Sequence, residues 1–118
     1  MKAEFCYFLL TCSDSEKETI ARKLLEKGLI ACAKFIPVES MYLWKGNIER
    51  DGEILILMES IEGNFEAVNA VIKKMHSYET FVLQMIPAKN INTDAQNWML
   101  DELKSRWNRF INFTYLIS

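Results

Sequence analysis

An α+β fold, a ferredoxin-like sandwich of order βαββαβ, is what this sequence predicts, and three observations predict it. Glu4 to Thr11, EFCYFLLT, is an almost continuous apolar run followed at once by helix-start residues. Ala31 to Ser60 reads as two long strands joined by a tight turn. Two amphipathic helical patterns of similar length lie before and after that pair of strands. Two helices placed this way form the split βαβ pattern, in which both cover one face of an antiparallel sheet.

The first strand is Glu4 to Thr11, apolar enough to be buried on both faces. Ser13 with Glu16, and Ser15 with Glu18, fit capping boxes for the first helix. Acidic residues come early in it and Lys23 and Lys27 late, as the helix dipole favours. Ile20, Ala21, Leu24 and Leu25 share one face, and Gly28 sits where a left-handed cap closes the helix. In the strand pair, Asp51-Gly52 is the dipeptide best suited to a two-residue hairpin turn. That turn sets Arg50 opposite Glu53, Ile48 opposite Leu55 and Trp44 opposite Glu59. Each side of the arm is then roughly ten residues, or about 33 Å, longer than a small sheet needs. Pro37 implies a bulge, bend or edge in the outgoing strand, and Gly46 marks a second bulge.

Asn64 caps a second helix running to His76, with Phe65, Val68, Val71, Ile72 and Met75 at helical spacing and Glu66, Asn69 and Lys73 on the polar face. Phe81 to Ile86 is a short strand ended by Pro87. Thr93 or Asp94 caps an extra C-terminal helix carrying Trp98, Met99, Leu103 and Trp107. The tail RFINFTYLIS extends that helix or forms another strand, and we read it as strand.

At 118 residues the chain is expected to form a single domain, 1–118, with one core. A net charge of −2 with interspersed signs offers no basic stripe for phosphate backbones, so nucleic acid is not the expected partner. The first apolar run is too short to span a membrane and lacks a small-residue cleavage site, which points to the cytoplasm and no membrane partner. Cys6, Cys12 and Cys32 are odd in number and widely spaced, so they are expected to be thiols.

TCSDSEKETIARKLLEKGLIACAKFIP, then SMYLWKGNIERDGEILILMES, then HSYET, resemble the CutA family, the divalent-cation tolerance proteins. The resemblance covers approximately residues 4–104, leaving 105–118 as a C-terminal extension, and Trp44, Gly46 and Ile48 form its most particular element. It implies a homotrimer of ferredoxin-like subunits, similar in architecture to the PII signalling proteins, whose long hairpins cross subunit boundaries. The family motif H-P-Y-E-x-P-E stands here as His76-Ser77-Tyr78-Glu79-Thr80-Phe81-Val82, without either proline or the second glutamate.

The same resemblance implies copper or another divalent cation as a weakly bound ligand, and it points to Cys12, Cys32 and His76 as metal ligands. Thiolate and imidazole suit copper and zinc by softness. In a βαββαβ sheet the first two strands run the same way, so Cys12 and Cys32 lie at opposite ends, about 20 Å apart. His76 emerges on the Cys12 side, so these two can share a site within a chain while Cys32 needs another subunit's donors. Set against this, a free cysteine at an element boundary is usually a small buried hydrophobe, and an imidazolium at a helix C-terminus gains from the dipole. Tyr42 and Trp44 are expected to anchor the trimer interface.

No nucleophile elbow, phosphate-binding glycine loop or H-E-x-x-H motif occurs, so the chain is not expected to be an enzyme. The expected function is metal-ion tolerance by a trimeric cation-binding module. The alternatives are a PII-like regulatory module taking a small anionic ligand between subunits, or a trimeric scaffold whose surface is the function.

Overall fold

A computed structural model of the chain describes residues 4–103. Its elements are β1 (Phe5–Cys12), α1 (Lys17–Glu26), β2 (Cys32–Trp44), β3 (Asn47–Ile61), a 3₁₀ turn (Glu62–Asn64), α2 (Phe65–Met75) and β4 (Leu83–Pro87). A third helix, α3, occupies residues 93–103, where Met99 and Leu103 are buried. The strands form one sheet of order β2-β3-β1-β4, antiparallel throughout, which is the ferredoxin-like arrangement the sequence predicts. Trp107 and the tail read as strand lie outside the described residues. Among the described residues no helix is long and apolar enough to cross a membrane.

β1 is not buried on both faces. Cys6, Phe8, Leu10 and Cys12 are fully buried while the residues between them are half-covered, so period two replaces the continuous burial expected of the apolar run. The buried set meets Ile54, Ile56 and Met58 of β3, Ile20 and Leu24 of α1, and Val68 and Ile72 of α2 in one core. Both helices therefore pack on one face, and Tyr7, Leu9, Leu55 and Leu57 point to the other. Leu25, expected in the core, lies at its rim, partly exposed.

The start of α1 departs from a capping box. The helix begins at Lys17, and the Ser13 hydroxyl donates to the Glu16 carboxylate at 2.6 Å instead of taking a backbone N–H. Its end is as expected: Gly28 has φ 68°, with Gly28 N–H bonded to Leu25 O and Leu29 N–H to Leu24 O, each at 3.0 Å. Beyond that cap, Ser60 Oγ and Asn64 Nδ2 both donate to the Leu29 carbonyl, at 2.6 and 3.1 Å. Asn64 thus spends its side chain on the connection into β2 and not on capping α2.

The hairpin turn lies six residues earlier than the sequence predicts. Trp44 pairs with Asn47 across Lys45-Gly46, with φ 51° and 82°, the paired positive values of a type I′ turn. Asp51 and Gly52 are mid-strand residues opposite Ser40 and Glu39. Arg50 faces Met41 and reaches Glu39 at 3.7 Å, Ile48 faces Leu43, and Leu55 faces Ile36. Gly46 is therefore the turn itself and no bulge. The ladder explains the choice: a turn at Asp51-Gly52 leaves the backbone of β2 before Tyr42 without strand partners, whereas the turn at Lys45-Gly46 pairs all of Cys32–Trp44. Pro37 fits because β2 is an edge strand.

Two glycines now carry opposite expectations. Nothing approaches a Cβ placed on either Gly46 or Gly52, so backbone conformation alone decides. Gly46→Ala should cost about 1–2 kcal/mol at its left-handed φ. Gly52→Ala should be neutral or stabilise by up to about 1 kcal/mol, since the strand has no need of glycine there. Urea unfolding at fixed protein concentration checks both, and the reverse order would restore the turn to Asp51-Gly52.

Candidate functional site

At the C-terminal end of β1 the chain gathers its polar residues. α2 stops at His76, whose backbone turns extended at φ −73° and ψ 135°, and the next residues cross the end of the sheet. The Tyr78 N–H donates to His76 Nδ1 at 3.1 Å, so the ring proton resides on Nε2, which donates to the Thr11 carbonyl at 2.9 Å. The imidazole stacks on Phe81 at 5.4 Å and 10°, and tilts against Tyr78 at 4.4 Å. Both ring nitrogens thus have partners within the chain, Nδ1 as acceptor and Nε2 as donor.

Cys12 lies beside this segment and is fully buried. Burial pushes its thiol up to about 11, and the carboxylates of Glu16 and Glu53 add to the effect. Glu53 accepts the Tyr78 hydroxyl at 2.8 Å, and burial together with that bond holds the phenol protonated. Glu16 accepts Ser77 N–H at 2.8 Å and Ser77 Oγ at 2.9 Å, besides the Ser13 hydroxyl.

Cys32 is at the other end of the sheet. It pairs with Glu59, five residues along β3 from Ile54, the partner of Cys12, or about 17 Å at strand rise. Cys12 and His76 thus lie at the same end of the sheet, His76 bonding the residue before Cys12, and Cys32 lies at the other. Cys32 is half-exposed on the helix-free face, with Lys34 Nζ 3.5 Å from its sulfur. Lys34 also pairs with Glu59 at 3.1 Å, and that bond holds its ammonium charged to higher pH than usual. Cys6 is buried, its thiol pushed up to about 12 by burial and then by Glu62. Among the described residues no three His, Cys, Asp or Glu side chains converge as a metal site within one chain.

The arm from Val38 to Glu53 extends beyond the end of β1, so only β2 and β3 pair there. Tyr42 and Trp44 point to the same side as Cys32, and the Tyr42 hydroxyl donates to Asp51. Met41, Leu43 and Ile48 point to the opposite side and are 69%, 74% and 71% exposed. The sequence does not single out these three as an exposed apolar set. Strict alternation counted from Lys45-Gly46 is the signal that finds them.

The family model described as CutA1 divalent ion tolerance protein matches residues 6–102. The chain belongs to the CutA family. A divalent-cation tolerance protein CutA of Thermotoga maritima is 34% identical over 84 residues, 71% of this chain and 83% of that protein. One from Pyrococcus horikoshii is 31% identical over 87 residues, 74% and 85% of the two chains. The solved structure of the periplasmic divalent cation tolerance protein CutA from Archaeoglobus fulgidus superposes with a TM-score of 0.82 at 31% identity, covering 84% of this chain and 98% of that one. The CutA family is thus named for tolerance of divalent cations and not for a reaction.

Glu16 gives this end of the sheet a pH dependence. Burial raises its carboxyl, but the hydrogen bonds from Ser13 and from both donors of Ser77 outweigh that and hold it below its ordinary 4.5. A carboxylate depressed on folding contributes stability in full above its unfolded value and loses it as pH falls through the folded one. Glu16→Gln should therefore flatten the loss of stability below about pH 4.5. Unfolding midpoints at a series of acidic pH values measure this, and identical slopes in the two proteins would remove Glu16 from the account.

Proposed function

We propose that this CutA-family chain acts in divalent-cation tolerance as a homotrimer that binds copper or a similar cation weakly, without catalysing a reaction. The observation that carries the cation reading is the position of Cys32. Of the three free cysteines it is the one not buried, and a soft thiolate suits copper or zinc. It stands on the helix-free face with Glu59 alongside. That face keeps Tyr7, Leu9, Leu55 and Leu57 only half-covered, so it is where a second copy would seat. A cation at Cys32 then completes its donor set from a neighbouring subunit, in keeping with the lack of a converging set in one chain among the described residues.

The assembly rests on the arm as well. Met41, Leu43 and Ile48 are large apolar side chains on a two-stranded ribbon, and the outer edge of β2 is open. Proteins ordinarily cover both kinds of surface. The resemblance that implies a trimer supplies three copies, with Tyr42 and Trp44 at their contacts. Three unpaired thiols favour a reducing compartment, and we place the protein in the cytoplasm on that ground.

Calorimetric titration with Zn(II) and Cu(II), oxygen excluded, tests the cation site. Cys32→Ser should weaken binding by about tenfold or more, as loss of a primary ligand does. His76→Ala should leave it within about twofold, because both ring nitrogens already have partners. Light scattering must show each variant to keep the wild-type mass. The opposite ranking would move the site to the Cys12 end of the sheet.

A further inference from the structure

We propose that Glu16 and Ser77 form a latch that holds the segment after α2 closed over the Cys12 thiol. The segment from His76 to Tyr78 crosses the end of the sheet and is fastened at three points. His76 Nε2 donates to Thr11 of β1, Tyr78 Oη donates to Glu53 of β3, and both donors of Ser77 go to Glu16 just before α1. Each fastening is a polar bond at or near the surface. Opening the strap at Ser77 breaks only exposed bonds, whereas at His76 it also breaks the stacking on Phe81, which packs against the core. Glu16 holds the strap by two charge-assisted bonds from one residue, and Ser13 fixes its carboxylate in place.

The latch is a property of this chain's own residues. Ser77 stands where the resembled motif carries proline, and a proline has no N–H to give Glu16. His76 keeps the extended conformation that a following proline would demand, so the path is the same while the means of holding it differ. Proline stiffens such a path through its ring, and here two hydrogen bonds to Glu16 take its place. Beneath the strap, Cys12 has no exposed surface, and Glu16, Glu53 and Tyr78 surround it electrostatically.

Cys6 supplies an internal control. It is equally buried, but it pairs with Ser60 and Pro87 at the opposite end of β1. The full-length protein is treated with iodoacetamide, and modification of each cysteine is followed by peptide mass spectrometry. Glu16→Ala should speed alkylation of Cys12 by about tenfold or more, the effect of losing about one hydrogen bond to a charged group, while Cys6 stays at its wild-type rate. Glu16→Gln removes the same charge beside Cys12 but keeps an acceptor oxygen, so it reports the charge effect, and Glu16→Ala should exceed it. Ser77→Ala, which keeps the backbone N–H, should give a smaller rise and serves if Glu16→Ala does not fold. An unchanged Cys12 rate, Glu16→Ala no faster than Glu16→Gln, or Cys6 rising in step with Cys12, overturns the latch.

Discussion

β3 must satisfy its backbone on two sides, and the subunit is arranged around that requirement. Over Ile54–Glu59 it does so between β1 and β2, and there both helices cover one face of the sheet. Over Asn47–Glu53 only β2 is available, so the same strand that forms the core's centre leaves it as a half-paired arm. The tight turn at Lys45-Gly46 makes this possible by letting all of β2 follow β3 outward. Backbone pairing is thus gained at the expense of exposed apolar side chains, because Met41, Leu43 and Ile48 leave the reach of the helices.

The two ends of the sheet have different chemistry as a consequence. The end of β1 is closed by the turn after α2, whose imidazole, phenol and hydroxyl groups are each hydrogen-bonded to another element. That arrangement orders a loop and shields a thiol. The start of β2 is more open, with Cys32, Lys34 and Glu59 together on the helix-free face. One end buries its thiol, and the other leaves Cys32 partly exposed.

Much of this was legible in the sequence. Helical spacing located α1 and α2, and Gly28 located the end of α1, because those signals depend on near neighbours alone. The hairpin turn was misplaced because Asp51-Gly52 is locally the better I′ dipeptide, while Lys45 accepts a positive φ only when the whole ladder rewards it. The two registers agree in parity for Cys32–Trp44 and for Glu53–Glu59, so those side chains keep their faces, whereas Ile48 moves from β2 to β3 and turns from the side of Leu55 to that of Ile54. The opposite placement of Cys12 and Cys32 followed from strand direction. What His76 does with its two nitrogens did not, since Thr11 is sixty-five residues away in sequence. Nor did the partner of Glu16, where a capping box was the local expectation and Ser77 the distant reality.

The central claim is that an arm so exposed belongs to an assembly. Light scattering of the purified chain at micromolar concentration measures this directly. The account predicts three times the 13.8 kDa chain mass. A single chain mass would contradict it, for Met41, Leu43 and Ile48 would then stand in water without a covering partner.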